Sequence, residues 1–159
     1  MPNEFNANDI FEIAIKIEEN GTLFYKNAAA KSEDEKSKNF LLELAKMEES
    51  HVKTFTELKN RLNDEEKLIT TFDIEDENSL YLKALADTRV FLKKDEPDII
   101  SFAQILSSAI QAEKDSIVFY LGMKEIVPEK SGKAKIDDII KEEMSHIRII
   151  AQKLAAIIR

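Results

Sequence analysis

An all-α fold, a bundle of four long helices with a long crossover between helices 2 and 3, is predicted by three observations on this sequence. Only three glycines and three prolines occur in 159 residues, which disfavours a turn-rich β architecture. Apolar residues recur at helical spacing along four separate stretches. A segment of different character, too long for a hairpin loop, separates the second stretch from the third. At this length residues 1–159 read as a single domain.

The first helix is expected over about 8–31, where Ile10, Ala14, Ile17, Gly21, Phe24 and Ala28 step by alternating fours and threes; Asn6 or Asn8 would cap it. Ser32 followed by Glu35 reads as a capping box for the second, about 33–62, with a stripe through Phe40, Leu41, Leu44, Ala45, Val52, Phe55, Leu58 and Leu62, and Asn63 at its end. The crossover, 63–96, carries "TTFDIEDENS" and then the apolar "LYLKALADTRVFL", with a short helix near 77–88 that packs on the bundle. A third helix over 97–126 starts after the acidic, proline-bearing Asp95-Glu96-Pro97 and buries Phe102, Ile105, Leu106, Ala109, Ile110, Ile117 and Tyr120. Pro128 and Gly132 punctuate its end. The fourth, 132–158, runs through Ile136, Ile139, Ile140, Ile147, Ile150 and Leu154.

A net charge of −8 and a pI near 4.9 argue against nucleic acid and anionic lipid as partners. The absence of cysteine excludes disulfides, thiolate metal sites and a rubredoxin-type iron centre within this chain. "MPNEFNANDIF" has neither the basic nor the apolar region of a signal peptide, and no run of about 18 apolar residues occurs. A cytoplasmic protein with no membrane partner is the expectation.

The two halves of the chain repeat. A shift of 95 residues aligns "AIKIEENGTLFY" (14–25) with "AIQAEKDSIVFY" (109–120), and "KMEESH" (46–51) with "KEEMSH" (141–146), which hold both histidines of the chain. Within each half the two glutamates, Glu18 and Glu48 or Glu113 and Glu143, lie 30 residues apart with turn signals midway. Equal lengths up and down an antiparallel hairpin return the chain to one height, so all four carboxylates should share a layer. Each sits on an otherwise apolar face: Glu48 among Leu41, Leu44, Ala45, Val52 and Phe55, and Glu143 among Ile136, Ile139, Ile140, Ile147 and Ile150. His51 and His146, at i+3, lie over the same face.

Four buried carboxylates cannot stay ionised without counter-charge, and two divalent cations would supply it. Oxygen donors with one imidazole per metal and no sulfur suit iron, or manganese, better than zinc. The arrangement resembles the ferritin-like superfamily, and within it the rubrerythrin-like di-iron proteins without a rubredoxin tail. That resemblance implies a ferritin-like four-helix bundle with two iron ions, Glu18 and Glu113 as terminal ligands, Glu48 and Glu143 as bridges, and His51 and His146 each completing one iron. It departs at Ser116, where rubrerythrins carry an extra carboxylate. The six remaining ligands look more like the ferroxidase centre of a bacterioferritin.

Tyr25 and Tyr120 are either core tyrosines or hydrogen-bond donors to a ligand carboxylate. Glu19, Glu49 and Glu142 adjoin ligands but point off the buried face and read as solvated. No catalytic residue is expected beyond the metal ligands. The expected function is a di-iron oxidoreductase of peroxidase or ferroxidase type, reducing hydrogen peroxide or O2 with an external electron donor, as a homodimer. An iron-handling protein without turnover and a metal-free helical scaffold are the alternatives.

Overall fold

A computed structural model of the chain describes residues 6–64, 77–88 and 101–158. Five α-helices occur among them: α1 Ala7–Lys31, α2 Glu35–Asn60, α3 Glu77–Thr88, α4 Phe102–Ile126 and α5 Lys133–Ile158, with one 3-10 turn at Glu129–Ser131. The chain is an all-α bundle. None of the described helices is long and apolar enough to cross a membrane.

Local chemistry sets the helix ends. Asn6 opens α1 with a reciprocal capping box, its Oδ1 accepting from the Asp9 N–H and the Asp9 carboxylate accepting from its own, each at 3.0 Å. Ser32, expected to open the second helix, closes the first: its N–H and its hydroxyl donate to the carbonyls of Ala29 and Ala28. Asp34 caps α2 instead, accepting from the Ser37 N–H at 3.0 Å and hydroxyl at 2.9 Å. A carboxylate so placed gains from the helix dipole as well as the bond, and the expected start at 33 moves to Glu35.

The third long helix also starts later than residue 97. Ser101 is extended at φ −120°, ψ 151°, and its hydroxyl and the Gln104 side chain form a second capping box, so α4 begins at Phe102. Pro97 lies outside the described residues, as does the crossover 63–96 apart from residues 63–64 and 77–88.

Between α4 and α5, Gly132 adopts φ 110°, and a Cβ there would lie 2.6 Å from Leu58 Cδ2. Only glycine meets both the left-handed backbone and the close approach of α2.

The α1–α2 and α4–α5 hairpins, one per sequence repeat, are the main packing units, and α3 lies on α4. There Leu82 is fully buried and the Tyr81 hydroxyl donates to the Val118 carbonyl at 3.1 Å. The apolar core falls into two parts. One gathers Ile10, Phe11, Phe55, Tyr120, Met123 and Ile136, from the start of α1 and α5 and the end of α2 and α4. The other gathers Tyr25, Leu41, Leu44, Leu106 and Ile150, from the opposite end. Between them lies a buried polar layer.

Candidate metal centre

Six side chains make up that layer: Glu18, Glu48, His51, Glu113, Glu143 and His146, all at most 4% exposed. Two sets of donor atoms emerge, each within 4.8 Å of one another: Glu18, Glu48, His51 and Glu143, and Glu48, Glu113, Glu143 and His146. Glu48 and Glu143 belong to both. His51 Nδ1 lies 2.9 Å from Glu143 Oε1 and 3.4 Å from Glu18 Oε2. His146 Nδ1 lies 3.3 Å from Glu48 Oε1 and from Glu143 Oε2, and 3.6 Å from Glu113 Oε1. The two imidazoles stack, with centroids 5.7 Å apart and planes 19° from parallel. The hairpins thus bring together every residue expected at the site.

The electrostatics of the layer favour positive charge. Glu18 Oε2, Glu48 Oε1, both Glu143 oxygens and Nδ1 of each histidine are buried with no hydrogen-bond partner. Such orphans are rare in folded proteins, and donor atoms left in this way suit a metal. Burial first, then the charge of Glu143, pushes the Glu18 carboxyl up to about 7. Burial raises Glu48 and Glu143 too, each with help from neighbouring glutamates. Burial alone would lower the histidines, yet their carboxylate neighbours prevail, pushing His51 up to about 11 and His146 up to about 12. Protonated, the two imidazoles would themselves offset part of the carboxylate charge. The donor set, four carboxylates and two imidazole nitrogens with no sulfur, is of the kind that suits iron.

Both tyrosines donate across the bundle. The Tyr25 hydroxyl lies 2.6 Å from Glu113 Oε1, and the Tyr120 hydroxyl 2.6 Å from Glu18 Oε1. Each ties a carboxylate of the other hairpin, one from either apolar half of the core, and so orients it. Gly21 brings the α1 backbone against Glu48, whose Oε2 lies 3.4 Å from where a Cβ would stand. The Ser116 hydroxyl donates to the Ala112 carbonyl of its own helix at 3.0 Å.

Of the three glutamates read as solvated, Glu19 pairs with Lys16 and Glu49 with Lys26 at the surface. Glu142 is solvated as expected, but it has a further partner that its position did not reveal. Its side chain is 60% exposed, but Oε2 sits 2.5 Å from His51 Nε2, on the ring edge opposite the layer. A helical wheel of α5 alone turns Glu142 away from the core; the nearness of α2 brings it back. The sequence signal is faint: Glu142 stands where the first half has Met47.

The family model for rubrerythrin matches residues 9–93, more than half of the chain. Among solved structures, a Thermotoga maritima protein named as a candidate ferritin-like diiron-carboxylate protein is similar, with a TM-score of 0.69 and 24% identity over 98% of each chain. That likeness shows a shared fold. No curated protein matches the chain.

Proposed function

The chain belongs to the rubrerythrin family, and from that premise we propose that it is a di-iron protein acting as an oxidoreductase on hydrogen peroxide or O2. The observation that carries this reading is the pair of overlapping donor sets sharing Glu48 and Glu143, with their inward atoms buried and unpartnered. Glu48 and Glu143 would bridge, Glu18 and Glu113 would be terminal ligands, and His51 and His146 would each bind one ion through Nδ1. Iron held by these six residues would supply the reducing electrons, two from a pair of Fe(II) ions.

The protein's own groups do the rest. Tyr25 and Tyr120 hold Glu113 and Glu18 in place and offer their hydroxyl protons at the edge of the layer. The two apolar clusters exclude water above and below. Chain cysteines are absent, so electrons come from a separate donor.

One observation favours a second reading, iron oxidation and handling without turnover. Ser116 stands where rubrerythrins carry an extra carboxylate, and its hydroxyl is bound to its own helix, so six ligands remain. Stopped-flow mixing of the Fe(II)-loaded protein with H2O2 or O2, with and without added reductant, separates the two. Repeated turnover supports the oxidoreductase; one oxidation followed by iron release supports handling. Absence of any reaction with either oxidant would count against both.

A further inference from the structure

Met47 and Glu142 hold equivalent positions in the two repeats, 95 residues apart, and their chemistry differs completely. The pseudo-symmetry of the hairpins would give both histidines the same outer neighbour. Instead, Glu142 Oε2 lies 2.5 Å from His51 Nε2, while Met47, with only a weakly accepting thioether, stands on the His146 side. Among the described residues no side chain pairs with His146 Nε2. There Met47, Ser50, Glu142, Ser145, His146 and Ile149 line a pocket of about 340 Å³.

We propose that Glu142 is a positioning residue that makes the two metal positions unequal, the His51 position binding first and the His146 position, beside the pocket, binding second and exchanging. This rests on the dinuclear reading above. A carboxylate on Nε2–H fixes the tautomer, so that the Nδ1 lone pair faces Glu18 and Glu143, and it makes the imidazole a stronger donor. It also holds the ring against rotation, so less entropy is lost when an ion binds. His146 lacks that brace, and the pocket gives the outer edge of its ring a path to water. The asymmetry therefore lies outside the ligands, in one methionine and one glutamate.

The test is titration of the chelator-stripped full chain with Co(II), followed by calorimetry and visible ligand-field absorption. The wild type should take up one ion per step, in two resolved steps. Glu142→Met makes the halves alike and should weaken the first step about 10–100-fold, merging it with the second. Glu142→Gln, whose amide oxygen still accepts from Nε2–H, should keep the steps apart. Met47→Glu, at a site 37% exposed, should tighten the second step. This variant checks the idea independently should Glu142→Met fold poorly. A first step unmoved by Glu142→Met, or two wild-type ions binding with one affinity, overturns the inequality while leaving the dinuclear site intact. A wild type that binds no Co(II) overturns both.

Discussion

The Tyr25 hydroxyl donates to Glu113 Oε1 across 88 residues of sequence, at 2.6 Å and with both groups buried. Its counterpart, Tyr120 on Glu18, makes the same bond from the other hairpin. Tyr25→Phe or Tyr120→Phe leaves a buried carboxylate oxygen without a donor. Each should cost about 1.5–3 kcal/mol in urea denaturation and weaken metal binding about tenfold while leaving the helical signal intact. Unchanged metal affinity in both variants would reduce the tyrosines to packing.

Glu48 is shared by both donor sets and carries an unpartnered oxygen. Replacing it should separate function from stability. Glu48→Leu should lose dinuclear loading, yet cost the chelator-stripped protein far less than the metal-loaded one, because burial raises the Glu48 carboxyl and Oε1 has no hydrogen bond, against a 3.3 Å contact to His146 Nδ1. Equal destabilisation with and without metal would mean that Glu48 is structural. Stability should be measured on both forms side by side.

The metal-free protein should become less stable as pH rises. Glu18 moves from an ordinary 4.5 to about 7 through burial and the nearby Glu143 charge; His51 and His146 move from 6.5 to about 11 and about 12. Between the ordinary and shifted values the folded state holds a proton that the unfolded state lacks, so raising the pH favours unfolding. Glu18 acts between 4.5 and about 7, and the histidines from 6.5 upward. Urea midpoints of chelated protein should therefore fall from about pH 5 to pH 9, while the stabilisation gained on adding metal grows. A midpoint that rises across this range would contradict the protonated layer.

Gly132 offers a test of the fold apart from the site. Gly132→Ala meets both a left-handed backbone, about 1–2 kcal/mol for an L-residue, and Leu58 Cδ2 at 2.6 Å. The loss in thermal stability should exceed the backbone cost alone, and in a Leu58→Ala background the further cost of Gly132→Ala should fall to the backbone part.

Much of this was legible in the sequence because it depends on spacing within one helix or one hairpin. The i+3 step from Glu48 to His51, the 30 residues from Glu18 to Glu48 and the 95-residue repeat set height and face without any knowledge of neighbours. What escaped depends on competition or on proximity between helices. Ser32 and Asp34 are both good caps two residues apart, and the carboxylate won. Ser101-x-x-Gln104 lay beside the more conspicuous Pro97. Glu142 could be seen only once α2 stood beside α5, because its partner is 91 residues away.

Metal content is the most direct measurement of the central claim. Protein purified without chelator and loaded anaerobically with Fe(II) should carry close to two iron ions per chain by elemental analysis, as two donor sets sharing Glu48 and Glu143 require. Glu143→Ala should carry one or none. A chain that stays metal-free under these conditions, with the same stability in chelator and in excess Fe(II), would contradict the dinuclear site.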